Sequence, residues 1–299
     1  MASYPPVPPE NGATFTSTIH QSSYPLIATS SHVGHHILIT GGTRGIGRAT
    51  AVSFARAGAR AIAVGDISED FGRLASDMIA AANEKGHDAP QIVLTKLDVT
   101  DEESVRKCAL IIEKELKGKL DVLVNNAGFM TPARAVTDSD TTSWWKTMEV
   151  NLRGVYLVSK YFLPLLLSSP DGPSTMVNTS SVAAHNLRPM ASAYGTSKLA
   201  VLKLTEFLMV EAGNKGLVAY SVHPGAVLTQ LAEKGMPPET LPSLNDDVNL
   251  AADTVTWLTS ERREWLAGRY LSSTWDMNEL LGREAEIVGG DKLKVRLVV

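Results

Sequence analysis

The sequence predicts an α/β fold, a doubly wound parallel sheet of seven strands with helices on both faces. Three observations predict it. Short β-rich runs alternate with longer segments of helical spacing from His36 to Ser272. The short runs are apolar throughout instead of alternating, as strands covered on both faces must be. A glycine-rich turn joins the first such run to the first helical segment, and open α/β sheets bind ligands at this end of their strands. The 299 residues, 44% hydrophobic and 20% charged, supply enough apolar material for one core.

The expected strands are residues 36–40, 61–64, 91–97, 122–124, 175–179, 218–223 and 268–272. Ala49, Val52, Ser53, Phe54 and Ala57 repeat at helical spacing after the first strand, as do Leu199, Leu202, Leu204, Leu208 and Met209 after the fifth. Thr100 and Glu103 form a capping-box pattern for the helix after the third strand, and Ser68 is the expected cap after the second. A further helix begins near Ser143. The most apolar stretch, Tyr161 to Leu167, contains Pro164 and is far shorter than the ~20 residues that span a bilayer, so it reads as buried helix.

Residues 1–34 carry Pro5, Pro6, Pro8 and Pro9 and then a Ser/Thr-rich stretch without periodicity. They read as a partly disordered extension, with Tyr4, Phe15 and Tyr24 available to lay parts of it on the body. Residues 35–299 form a single domain, with a substrate loop at about 231–247 and a carboxyl-terminal extension at about 276–299.

A net charge of −4 gives no basic excess for nucleic acid. Cys108 is the only cysteine, which excludes an intrachain disulfide and a multi-cysteine metal site, and no His/Asp/Glu cluster has ligand spacing, so no metal is expected. No Lys or Arg precedes Arg44, so neither a secretory signal nor a mitochondrial presequence is expected, and a cytoplasmic location follows.

The turn Thr40-Gly41-Gly42-Thr43-Arg44-Gly45-Ile46-Gly47 lies between strand and helix. Glycines there let the backbone approach a pyrophosphate, which sits against the free N–H groups of the helix. Asp66 ends the second strand 19 residues beyond Gly47, close to the spacing of about 20 at which an acid binds the adenosine ribose, so the expected cofactor is NAD(H). The carboxylate would repel a 2′-phosphate, and Ile67 stands where a phosphate site would place Arg or Lys. Arg44 is the cation that would support NADP(H) instead. The plainer reading makes Asp66 a helix cap and Arg44 a solvated side chain.

These residues, with Asp98-Val99, Asn125-Asn126-Ala127-Gly128, Asn151, Ser181, Tyr194-Gly195-Thr196-Ser197-Lys198 and His223-Pro224-Gly225, resemble the ordered motif set of the short-chain dehydrogenase/reductase family. The resemblance runs from residue 35 to about 275. It implies a Rossmann-like domain, a homodimer or homotetramer, and a small-molecule substrate. It also implies that Asp98 contacts the adenine and that the Asn125, Ala127 and Gly128 run lines the ribose side and braces the sheet. Thr229, following Pro224, Gly225 and Val227, would hold the nicotinamide carboxamide. The proline-rich start, the Trp275-Asp276 ending and the extra length resemble fungal members that modify secondary metabolites.

Tyr194 and Lys198 are four apart at helical spacing and share a face. An adjacent ammonium lowers the pKa of a tyrosine, ordinarily near 10, so that it can exchange a proton with a substrate oxygen. Ser181, after the fifth strand, is assigned to hydrogen-bond that oxygen, with Ser180 as the near alternative. The family implies that Asn151 orders a water and Lys198 in a proton relay, and that Lys198 also holds the nicotinamide ribose. His223, His35 and His36 read as packing residues, Trp144 and Trp145 as packing or interface residues, and Cys108 as buried. Segments 129–134, 183–190 and 231–247 choose the substrate, and Met130, Leu187, Met190, Leu231 and Met236 make its pocket partly apolar. The expected activity is hydride transfer between NAD(H) and a secondary alcohol or ketone. The alternatives are an NADP(H)-dependent ketoreductase, a non-redox dehydratase or cyclase, and a dinucleotide sensor on the same fold.

Overall fold

The computed structural model describes residues 11–168 and 172–297. Seven strands form one parallel sheet: β1 His36–Thr40, β2 Ala61–Asp66, β3 Gln91–Lys96, β4 Val122–Asn125, β5 Thr175–Thr179, β6 Val218–His223 and β7 Tyr270–Ser272. Their spatial order is β3-β2-β1-β4-β5-β6-β7. The helices are α1 Pro25–Ala28, α2 Gly45–Arg56, α3 Leu74–Glu84, α4 Glu102–Glu115, α5 Thr141–Met148, α6 Gly154–Leu167, α7 Ser192–Ala212, α8 Gln230–Gly235, α9 Val248–Thr259, α10 Met277–Leu281 and α11 Glu284–Gly289.

Strand alternation builds the two layers. Ile37, Ile39, Ile62 and Val64 share a core with Phe54 of α2, Met78 of α3 and Leu258 of α9. Leu38, Ala61 and Ala63 point the other way, to Cys108 of α4, Phe162 of α6 and Leu208 of α7. Burial of each large apolar side chain is worth about 1.5–3 kcal/mol, so both faces of the sheet are energetically committed. Because β1 lies between β2 and β4, the chain reverses direction across the sheet there. A crevice opens at the carboxyl ends of β1 and β4 as a result.

Both expected caps are corrected. Asp98 takes the Thr100 N–H at 2.9 Å and its hydroxyl at 2.7 Å, so Asp101 caps α4 instead, accepting from Glu103 N. Ser68 accepts from Asp70 N at 3.1 Å, and α3 starts only at Leu74. Strand β2 extends to Asp66 and β4 to Asn125, which carries both polar residues onto strand ends. Segment 231–247, read as a loop, holds most of α8 and a 3₁₀ turn at Pro238–Ser243.

Residues 11–34 lie against the body: Ile27 is fully buried, and Trp275 Nε1 donates to Gly12 O at 2.7 Å. Tyr4 and the four prolines from Pro5 to Pro9, with Val298 and Val299, lie outside the described residues. Among the described residues no helix is long and apolar enough to cross a membrane.

Candidate active site

The glycine turn is fixed by β4. Thr40 Oγ1 accepts from Asn126 N and Ala127 N, both at 3.1 Å, and Asn126 Nδ2 donates to Thr40 O and Gly41 O at 3.0 and 2.9 Å. Two glycines are required by close approach. A Cβ on Gly41, whose φ is +68°, would stand 2.8 Å from Ala127 Cα, and one on Gly47 would stand 2.3 Å from Gly41 O. Helix α2 begins at Gly45 with Arg44 as its N-cap and no side-chain cap, so the N–H groups of Gly45, Ile46 and Gly47 remain free for an anion.

Asp66 is 7% exposed. Its Oδ2 accepts from Thr43 N at 3.0 Å and Thr43 Oγ1 at 2.8 Å, and its Oδ1 accepts from Ser68 N at 3.0 Å. The carboxylate thus ties the glycine turn to β2 and retains acceptor capacity for a ribose hydroxyl. Arg44 donates to Gln230 Oε1 at 2.8 Å and forms no bond to Asp66. Ile67 is 61% exposed at the rim. Asp98 uses one carboxylate oxygen on Thr100, while Val99 packs against Gly154, where a Cβ would stand 2.7 Å from Val99 Cγ2.

Not every expected residue lines the crevice. The Asn125 side chain is buried beneath it, donating to Asn178 Oδ1 at 2.8 Å, so it braces β4 against β5. Gly128 lies beside Asn151 Oδ1 and Leu231. Val227 pairs with Asn245 in an antiparallel bridge just beyond Pro224 and Gly225. Thr229 caps α8, and its Cγ2 is 3.5 Å from the Cβ position of Gly45, which places it against the glycine turn.

On the other side of the crevice, Ser181 opens a 3₁₀ turn after β5, and its Oγ accepts from Ala183 N at 3.1 Å. Its hydroxyl lies close enough to that of Tyr194 to favour the phenolate. One turn along α7, Lys198 Nζ donates to Thr179 O at 2.7 Å and stands 5.6 Å from the Tyr194 ring centroid. Burial pushes Tyr194 up to about 12, against the Ser181 hydrogen bond, which lowers it. Burial also pushes Lys198 down to about 8. Ser180 faces away, with its Oγ on Lys198 O at 3.3 Å.

Asn151 sits in a π-helical turn, Glu149–Arg153, between α5 and α6. Local π geometry often marks functional sites. Its Oδ1 accepts from Phe129 N and its Nδ2 donates to Phe129 O, both at 2.8 Å, and Nδ2 also reaches Ser197 Oγ at 3.0 Å. Its side chain therefore couples the segment after β4 to α7 and does not contact Lys198. Thr40 and Ser197 carry no separate signal in the sequence. Each is one hydroxyl in a motif whose glycines and lysine dominate the reading.

The three segments expected to choose the substrate interlock: Ala133 N donates to Gly235 O at 3.0 Å, and Arg134 N to Met190 O at 3.3 Å. Met130 packs on Gly235. Trp144 Nε1 donates to Ser192 Oγ at 3.2 Å, a packing role at the start of α7. His223 is pushed down to about 3 by burial and is neutral, and burial raises the Cys108 thiol to about 12, so neither is poised as a base or nucleophile. Among the described residues no group of three His, Cys, Asp or Glu is placed to hold a metal.

Residues 35–239 match the family model described as short chain dehydrogenase. "Short chain dehydrogenase mpl6" of Monascus purpureus is 47% identical over 98% of this chain and 99% of its own. "Short chain dehydrogenase pigC" of Monascus ruber is 45% identical over 95% and 93%. Among solved structures, carveol dehydrogenase from Mycobacterium avium in complex with NAD superposes with a TM-score of 0.72 at 25% identity, covering 82% of this chain and 97% of that one. Levodione reductase superposes with a TM-score of 0.71 at 27% identity over 80% and 96%. The chain belongs to the short-chain dehydrogenase family of oxidoreductases.

Proposed function

We propose that the protein transfers hydride between NAD(H) and a secondary alcohol or ketone of a small, partly apolar molecule, with Tyr194 as the general acid and base. The observation that carries this reading is the Ser181–Tyr194–Lys198 cluster, placed across the crevice from an uncapped helix start. A nicotinamide bound between the two would supply or accept the hydride at the substrate carbon. The side chains manage the proton. In reduction, Ser181 donates a hydrogen bond to the carbonyl oxygen, and Tyr194 passes its phenolic proton to that oxygen as the carbon gains hydride. In oxidation the Tyr194 phenolate takes the hydroxyl proton. The Lys198 ammonium, anchored on Thr179 O and 5.6 Å from the tyrosine ring centroid, is placed to favour the phenolate when it forms. Asn151 acts through Phe129 and Ser197 by holding α7 in place.

NAD(H) is favoured over NADP(H) because Asp66 offers a carboxylate at the ribose position and Ile67 no cation, while Arg44 is turned to Gln230. The neighbour whose structure contains NAD supports the same choice. From the family resemblance, the active form is taken to be a homodimer or homotetramer, and the location cytoplasmic.

The test is nicotinamide absorbance with NAD⁺, NADP⁺ and their reduced forms, against secondary alcohols and ketones. NAD-dependent turnover is expected. In the Asp66→Asn/Ile67→Arg double variant, the preference should move toward NADP by about 10²-fold or more, since one repulsion is removed and one charge-assisted pair is added. NADP preference in the unaltered protein would overturn the Asp66 reading, and turnover without net cofactor consumption would favour the dehydratase or cyclase.

A further inference from the structure

Residues 16–24 cross the open end of the sheet between two anchors. At one end the Glu279 carboxylate accepts from Ser17 N at 2.6 Å, Ser17 Oγ at 2.8 Å and Thr18 N at 2.9 Å. Beside it Ile19 pairs with Trp275, His20 N donates to Thr274 O at 2.8 Å, and His20 Nε2 meets Asp276 Oδ2 at 2.9 Å. At the other end Ser23 Oγ donates to Asp253 Oδ2 of α9 at 2.5 Å. Between the anchors Gln21 meets the end of the substrate segment. Its carbonyl accepts from Asp247 N at 2.7 Å, and its Nε2 donates to Asn245 Oδ1 at 3.2 Å.

Those same residues hold the crevice wall. Asn245 bridges Val227, Asp246 N donates to Ala226 O at 3.1 Å, and Asp246 Oδ2 accepts from Ala226 N at 2.6 Å. Asp246 Oδ2 also lies 2.7 Å from the Cβ position of Gly225. Two residues past Val227 stands Thr229, against the glycine turn. A chain of contacts therefore runs from Gln21 through residues 245–247 to residues 225–229. The residues that start it lie outside the span matched by the family model, residues 35–239.

We propose that residues 16–24 are a positioning strap for the active site, with Gln21 fixing the carboxyl end of the substrate segment and Glu279 holding the strap. The proposal rests on the reading of residues 224–247 as the wall that receives substrate and nicotinamide. The strap restricts the motion of residues 225–229 and 244–247 and so sets how tightly substrate is held. It touches neither Tyr194 nor the glycine turn directly, so its release leaves proton transfer unaffected and reaches the glycine turn only through Thr229.

The test is amide hydrogen exchange by mass spectrometry on the full chain, comparing the unaltered protein with Gln21→Ala, Glu279→Ala and the double variant. In the double variant, exchange in residues 225–229 and 244–247 is expected to rise about tenfold, with β1 and β4 unchanged. Gln21→Ala, which removes a single exposed hydrogen bond, should show the same pattern at smaller amplitude. Kinetically, the substrate KM should rise about tenfold with kcat within about twofold, a split that general loss of stability does not produce. Unchanged exchange in residues 225–247 while residues 16–24 exchange freely overturns the proposal. Uniform acceleration that includes β1 in Gln21→Ala overturns it as well, because the strap would then serve overall stability alone. The exchange readout needs no substrate, so absence of turnover across the panel defeats the enzymatic reading and leaves the strap to be judged by exchange.

Discussion

Tyr194→Phe is expected to lower kcat by about 10³-fold with cofactor affinity within about twofold. The substitution removes one oxygen and leaves the ring, its packing and the neighbouring Lys198 in place. The lost oxygen is the one beside Ser181, so the substrate oxygen loses its proton donor while keeping the Ser181 hydroxyl as a hydrogen-bond donor. Steady-state kinetics in both directions, with the cofactor Kd measured by fluorescence titration, check the split. A fall in affinity without a fall in kcat would assign Tyr194 to binding.

The pH dependence follows from the same group. Burial raises Tyr194 to about 12, and the Ser181 hydroxyl acts in the opposite direction. Reduction needs the protonated phenol, so it is fully active at neutral pH and declines as pH rises through the tyrosine pKa of the working complex. Oxidation needs the phenolate, so it gains with rising pH. Lys198 loses its charge above about 8, which withdraws phenolate stabilisation and flattens that gain. Neither limb should appear in Tyr194→Phe.

Gly47→Ala is expected to weaken cofactor binding by about 10²-fold or more. The added Cβ would stand 2.3 Å from Gly41 O and 2.4 Å from Asn126 Nδ2. Asn126 holds both Thr40 O and Gly41 O, so the turn and the β4 end cannot move apart without losing those bonds. Relief costs about 1–3 kcal/mol or more and falls on the segment that presents the helix N–H groups. Gly289→Ala, where nothing lies within 4 Å of the new Cβ, serves as the control and should bind cofactor normally. Equal affinity in the two variants would remove the glycine turn from the cofactor site.

The sheet was legible because its strands are buried on both faces, so Ile37 to Ile39 and Ile62 to Val64 read as unbroken apolar runs. The juxtaposition of Tyr194 and Lys198 was legible because the two are one helical turn apart. Caps were less so. Thr100 and Asp101 both offer a suitable oxygen, and only the prior claim of Asp98 on Thr100 decides between them. Asn125 and Asn126 look alike in sequence, yet strand alternation sends the first into the sheet and the second to the glycine turn. The strap was illegible for a different reason. Its composition has no periodicity, and its partners Trp275, Asp276 and Glu279 lie more than 250 residues further along the chain.

The most direct test of hydride transfer is to run the reduction with NADH carrying deuterium at both C4 positions of the nicotinamide and to examine the product by mass spectrometry. The account predicts one deuterium on the carbinol carbon, delivered to one face, and none in product from Tyr194→Phe under matched conditions beyond its residual rate. Product that forms without deuterium, or an isomer that forms while the cofactor stays unconsumed, would contradict it.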